Sequence, residues 1–525
     1  MKKLSTLAAA LLLASGLTAL PAMANSLRWA AQNDIQTLDP HSQNHSATTT
    51  ISGYAYEGLT RYTEKFDVEP ALATKWTFVT PTQVRFELRR GVKFHDGTPF
   101  TADDVIFSLQ RIKHPASNMV IYSSGIKEAR KIDDFTVDLI LDGPNPVLTR
   151  NLTFVRIVSK AWAQKNRSEN PQDFKAKEDT YASRNANGTG PFRITSWTPD
   201  QKITMVANKD WWDKPKGNIS EVTYLPIKQD ATRVAALLSG DLDLLTDLPP
   251  QDVAKLKADP RLKVIEGPEN RTIFFALDLG SDEIKGSSVK GKNPFKDKRV
   301  REAMSLAIDR EAIKRSLMRN LSIPAGIMVA PVAYGWSQEL DTVAKPDLAR
   351  AKQLMTDAGY ADGFDTPLAC PNDRYVNDEE ICQAVVSMWA RIGIKAKLTT
   401  QPMTQHSAAL QRFELPLYMY GWGVTTFDAQ YTLQDIVHTK TSGADGKGNY
   451  SRVSDAKVDA LVQQMKVETD VPKRLALMQE ALKRTRDEVL FIPIHHQVRP
   501  WAMKAAVSIP HSANDAPQAK WATVK

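Results

Sequence analysis

Two short stretches of this chain hold the residue types best suited to gripping a small polar solute. The first is the loop Pro371-Asn372-Asp373-Arg374-Tyr375-Val376-Asn377, between Cys370 and a helix that starts near Asp378. Arg374 offers a forked, permanently charged donor that matches a carboxylate, and Tyr375 adds a hydroxyl and a stacking face. The second is Tyr418-Met419-Tyr420-Gly421-Trp422-Gly423-Val424-Thr425-Thr426-Phe427-Asp428. Here an apolar strand runs into a glycine-flanked tryptophan and then into polar residues, the pattern of a cleft mouth in an α/β protein. The plain alternatives are a solvated arginine at a helix start and a tryptophan that only fills a core.

Other chemistry reads weakly. Gly286 to Asn293 imitates a phosphate-binding loop, but Asn293 stands where a magnesium-binding hydroxyl is needed, and Pro294-Phe295 follows in place of a long helix. His95-Asp96, His495-His496 and the two cysteines lack zinc-ligand spacing, so no metal and no cofactor are expected. No nucleophile elbow appears, so the chain does not read as an enzyme.

At 525 residues, with 42% hydrophobic and 24% charged residues, the chain reads as an ordinary globular protein large enough for two or three domains. The formal charge of +8 loses two units if Lys2 and Lys3 are removed. Without a basic stripe interleaved with aromatics, it does not predict a nucleic-acid partner. Lys2-Lys3, the apolar run Leu4–Leu20 and Ala22-Met23-Ala24 read as a secretory signal peptide over 1–24. Cleavage after Ala24 leaves Asn25 first, with no cysteine to carry a lipid anchor, and the Gram-negative periplasm is the expected compartment. An oxidising compartment favours a Cys370–Cys382 disulfide over two buried free thiols.

The elements that must position these stretches are mixed α and β. Trp76 and Phe78, then Val84, Phe86 and Leu88, alternate with polar neighbours around Thr80-Pro81-Thr82, which predicts a hairpin. Thr101 and Asp104 form a capping box for a helix burying Val105, Ile106 and Leu109. A helix is predicted from Asp230, with Thr232, Val234, Ala235 and Leu238 before a stop at Gly240, and another capped by Asp297 with Val300, Ala303, Met304, Ala307 and Ile308 as its apolar face. Helices over Pro346–Ala358 and Asp378–Arg391 end at Gly359 and Gly393, and the second feeds the alternating strand Ile394-Ala396-Leu398. Helix–Gly–strand units of this kind imply mixed sheets with covering helices.

Several strings also match a known family in order: LDP (Leu38–Pro40), YEGLTRY (Tyr56–Tyr62), Ala71–Leu109, GTGPFRI (Gly188–Ile194), RVREAMSLAIDREAI (Arg299–Ile313), DAGYADGF (Asp357–Phe364) and IGIKAKL (Ile392–Leu398). The chain resembles the periplasmic solute-binding proteins of ABC importers, the peptide, nickel and opine class of extracellular solute-binding family 5. The resemblance implies an α/β, two-lobed periplasmic binding protein fold of the large three-domain type II class, with mixed sheets and a hinge. It implies a discontinuous first domain (25–45, 180–269 and 490–525), an inserted second (46–179) and a third that closes on the first (270–489). The partners implied are a peptide or peptide-like solute, an ABC permease and its ATPase subunits, with the binding protein a monomer.

In dipeptide-binding relatives the loop after the Cys370 position supplies an arginine and a tyrosine that hold the ligand's C-terminal carboxylate. Arg374 and Tyr375 match them to within one residue. Relatives also carry an aspartate three residues after the tryptophan, paired with the peptide's α-ammonium, where this chain has Thr425. A hydroxyl cannot neutralise a buried ammonium, so either Asp428 takes the role or the ligand presents no free α-amine there. The WxxTTxDA pattern resembles the glutathione-binding branch. Arg271, near the crossover between lobes, is a further expected contact. Opine, nickel or haem complexes are alternative cargoes, and a secreted hydrolase, a chaperone or a chemoreceptor ligand carrier are alternatives of other classes.

Overall fold

A computed structural model describes residues 25–525, so the leader predicted over 1–24 lies outside the described residues. Two long strands, Leu262–Leu277 and Phe491–Lys504, organise the molecule. They pair antiparallel along their lengths, from Leu262 opposite Lys504 to Ala276 opposite Phe491. On one side the sheet continues through Leu244–Leu245 to Ser26–Ala31, Glu221–Pro226, Lys202–Ala207 and Phe192–Thr198. On the other it continues through Leu417–Gly423 and Phe364–Pro371 to Ile394–Gln401. Ser26–Ala31 runs parallel to Glu221–Pro226, and Phe364–Pro371 parallel to Ile394–Gln401, within an otherwise largely antiparallel sheet, so the sheet is mixed.

The ladder between the long strands shifts register between Pro268 and Thr272. Backbone that leaves a ladder re-aims its side chains, and Asn270 and Arg271 sit in this gap. The strands on both sides of this long pair therefore belong to one continuous sheet.

The segment expected as an insertion carries a separate antiparallel sheet, in the order Ala73–Thr80, Gln83–Leu88, Thr136–Leu141, Ile126–Asp133. The predicted hairpin is there, with Trp76 opposite Phe86 and Phe78 opposite Val84. Val84, Phe86 and Leu88 are buried, whereas Phe78 is 53% exposed, because its strand is an edge. The helix Ala102–Ile112 starts as read: Thr101 N donates to Asp104 Oδ2 at 2.9 Å, and Val105 and Leu109 are buried while Ile106 packs half-buried against the core. The helix Asp230–Ser239 forms where it is predicted and stops at Gly240. Arg233, Val234 and Leu237 are buried, whereas Thr232 and Ala235 face solvent. Arg233 donates to the carbonyls of Ile227, Lys228 and Asp247, so a charged residue that periodicity reads as outward is drawn inside by backbone acceptors.

Several family strings prove to be scaffold. Asp39 of LDP forms a fully buried two-pronged ion pair with Arg111 of the capped helix, at 2.7 and 2.6 Å. Gly188 and Gly190 let their loop touch helix Ser46–Ala55. A Cβ at either would lie 2.0 Å from Ala55 O or 2.5 Å from Tyr54 O. The lobes are closed on each other: Tyr62 OH donates to Thr426 O at 3.0 Å, and the Phe66 and Phe427 rings lie 4.0 Å apart.

Candidate functional site

The fold leaves a cavity of about 820 Å³ lined by residues from Gln36 to Trp521. Helix Ser46–Ala55 lies along it, presenting Ser46, Thr49, Thr50 and Gly53. No side chain caps the start of this helix. At that end two arginines converge on one hydroxyl: Arg271 Nη2 and Arg374 Nη2 each donate to Ser46 Oγ at 3.0 Å. Arg271 is neutralised by Glu269, at 2.7 Å. Arg374 has no carboxylate partner among the described residues, and Ser46 Oγ is its guanidinium's one hydrogen-bond acceptor. Burial first, and the Arg271 charge second, hold its pKa below the usual arginine value. His45 beside it is driven down to about 3 by burial and by the same two arginines, so it stays neutral. Two guanidiniums, a hydroxyl and an open helix start around a free space make a carboxylate-shaped site.

The loop bearing Arg374 is fixed from several sides. Cys370 and Cys382 are joined by a disulfide, closing the loop onto helix Asp378–Ala390. Asp378 Oδ2 accepts from the backbone N–H of Arg374 (3.0 Å) and of Tyr375 (2.9 Å), and burial pushes the Asp378 carboxyl up to about 7. Tyr375 lines the cavity, but its hydroxyl is engaged with the backbone: it accepts from Gly421 N at 2.9 Å and donates to Gly421 O at 3.3 Å. Its ring leaves no room for a side chain at residue 421, where a Cβ would come within 2.6 Å of it. Tyr375 thus anchors the strand that carries Trp422.

Trp422 forms cavity wall, stacked on Tyr431 (5.3 Å between centroids, 18° between planes), and its Nε1 has no partner. Thr425 also lines the cavity and meets Tyr122 OH at 2.8 Å. Tyr122 OH, Tyr431 OH and the Asn44 amide complete a neutral network that crosses between the lobes. Asp428 is corrected by the structure. Arg474 holds it in a buried two-pronged ion pair, 2.8 Å at each contact, and it does not line the cavity. A carboxylate already neutralised in this way cannot also answer a ligand ammonium.

A different acid faces the cavity. Asp435 lies in the π-helical turn Leu433–Val437, and such turns are rare and gather at functional sites. Its Oδ1 accepts from Gly448 N at 3.2 Å, and its Oδ2 accepts no hydrogen bond from a described residue. Burial raises its carboxyl to about 6, against the pull of Gly448 N–H, Lys440 and Lys447. Tyr420, Tyr431 and Tyr450 surround the same part of the cavity.

The hydrolase alternative meets one arrangement worth stating. Thr272 Oγ1 and His496 Nδ1 lie 2.8 Å apart, and His496 Nε2 lies 2.8 Å from Asp341 Oδ2. Thr272 and His496 are sealed at 0% exposure and none of the three reaches the cavity, so the row is core polar packing with no route for a substrate. Among the described residues, no cluster of three or more metal-ligating side chains occurs, and no helix is long and apolar enough to cross a membrane.

Two lobes closed on a cavity with an unneutralised arginine define a binding protein that sequesters a solute. The chain belongs to the bacterial extracellular solute-binding proteins, family 5, whose model matches residues 67–444. It is 27% identical over 459 residues to heme-binding protein A of Haemophilus influenzae, covering 82% of this chain and 79% of that one. It is 25% identical over 497 residues to a glutathione-binding protein of Salmonella choleraesuis, covering 93% and 92%. In fold it matches the periplasmic binding protein DppA of Helicobacter pylori in complex with the peptide STSA, with a TM-score of 0.84 and 23% identity over 95% of this chain and 98% of that one.

Proposed function

We propose that this protein works in the periplasm as a monomer, captures a peptide or peptide-like solute by its free carboxylate, and hands it to an ABC permease. The observation that carries this reading is Arg374: a buried guanidinium with one neutral partner, in the cleft wall, beside a second arginine. A buried charge without a counter-ion is costly, and a ligand carboxylate removes that cost only when the lobes are shut. Closure and capture are thereby coupled, because the ligand favours the state in which it touches both lobes. Arg374 and Arg271 take the carboxylate, Ser46 and the adjacent helix start assist, and Trp422 packs against the ligand body. Thr425 offers a neutral hydroxyl, and Asp435 serves as the acidic counterpart for a cationic end in place of Asp428.

The wide cavity and the heme-binding relative keep a larger tetrapyrrole-type cargo as a second reading. Its carboxylates would use the same arginines. Native mass spectrometry of the purified protein tests the proposal. A co-purifying peptide-like molecule with a free carboxylate is the expected result, and a cargo without any carboxylate overturns it.

A further inference from the structure

We propose that the cleft contains a second anion site, formed by Arg156 and Lys520, and that its solute is therefore a dianion with two acidic groups about 10 Å apart. The inference rests on the reading of the cleft as a peptide-type site and names the subclass that the site selects: γ-linked or acidic peptides carrying a carboxylate beyond the C-terminal one.

Three observations carry it. First, Arg156 and Lys520 both line the cavity, and neither side chain makes a hydrogen bond or an ion pair with any described residue. Burial holds Arg156 down to about 10 and Lys520 down to about 8. Lys520 has only the faces of Trp211 and Trp521 beneath its ammonium, at 5.8 and 5.1 Å. Second, the other cavity arginines apart from Arg374 do have carboxylate partners among the described residues. Arg61 is paired with Glu69 and Asp213, Arg184 with Asp179 and Arg271 with Glu269. The acid whose charge acts on both, Glu57, makes no ion pair with either and takes its hydrogen bonds from Trp211, Trp212 and Thr189 at 3.2, 2.8 and 2.9 Å. Half-buried cavity cations without an ion-pair partner offer a place for a ligand anion.

Third, the spacing is set by one helix. Ser46, which takes the Arg374 guanidinium, and Gly53, whose Cβ would lie 3.1 Å from Arg156 Nη2, are seven residues apart on helix Ser46–Ala55. Two turns return to the same face after roughly 10 Å, which is about the reach of an extended tripeptide. An ordinary neutral dipeptide offers one carboxylate and leaves Arg156 and Lys520 unanswered. A second carboxylate, from an acidic side chain or from the free α-carboxyl of a γ-linked glutamate, answers them.

The test is isothermal titration of the mature protein with two pairs of peptides that differ by one carboxylate. One pair is glutathione against 4-aminobutanoyl-Cys-Gly, and the other is Glu-Ala-Gly against Gln-Ala-Gly. In at least one pair the dianion should bind about tenfold to a hundredfold more tightly, the range expected for a charge-assisted contact. Arg156→Gln should collapse that ratio towards one, Lys520→Gln should narrow it, and Arg156→Lys should keep most of it. The proposal is overturned if the single-carboxylate members bind as tightly as their partners, or if Arg156→Gln weakens both members of a pair equally. Should Arg156→Gln fail to fold, Lys520→Gln and Arg156→Lys decide the matter by the same ratio. Binding of the single-carboxylate peptides alone sinks this inference and leaves the peptide reading standing, whereas binding of none of the four sinks both.

Discussion

Replacing Arg374 by glutamine separates a ligand-gripping arginine from a structural one, because the two roles predict opposite effects on the empty protein. Arg374 Nη2 and Arg271 Nη2 each lie 3.0 Å from Ser46 Oγ, so they are no more than twice that distance apart. Two unit charges at ~6 Å in an effective dielectric of ~20 repel by ~3 kcal/mol. Glu269, in contact with Arg271, cancels part of this, leaving ~1 kcal/mol of strain that glutamine relieves. Glutamine also keeps a donor for Ser46. The ligand-free variant should therefore melt no lower than the parent in scanning calorimetry. Its affinity for glutathione or alanyl-alanine should fall about a hundredfold by titration, since a charged, buried contact contributes ~3 kcal/mol. A variant that melts markedly lower when empty yet binds these peptides as the parent does would refute the reasoning, and Arg374 would then be scaffold.

Three further outcomes follow from named contacts. Thr425→Asp places an acid against Tyr122 OH and should tighten ordinary dipeptides relative to γ-linked ones; unchanged or weaker dipeptide binding counts against a ligand lacking an α-ammonium there. Asp435 has a folded pKa raised to about 6, so its stabilising contribution is full below the unfolded carboxyl value of about 4 and is lost as pH rises through 6. Affinity for a peptide carrying an ammonium should move the opposite way, falling as pH drops below 6, and Asp435→Asn should flatten both curves in calorimetry run from pH 4 to 8. The Cys370–Cys382 bond spans a sequence separation of 12, so reducing it should lower stability by ~3 kcal/mol and weaken binding, because it closes the loop that presents Arg374.

What the sequence makes legible here is what is local. The hairpin at Trp76–Leu88, the capping box at Thr101 and the inward face of Lys298–Leu306 each depend on neighbours within a few residues, and each folds as its pattern reads. The cleft is assembled otherwise. Arg374 meets Ser46 across 328 residues, and Asp39 meets Arg111 across 72. Nothing in the spacing near Asp428 discloses that Arg474, 46 residues on, will claim it. Asp435 was missed because a π-helical turn, which re-aims one side chain, has no periodic signature. Arg156 and Lys520, the proposed second anion site, have no sequence signal for a deeper reason: what singles them out is the lack of an ion-pair partner, and a lack becomes visible only when every neighbour has been placed. The sequence pattern therefore identifies the frame that closes, while the chemistry of the cargo is carried by charges that closure leaves unanswered.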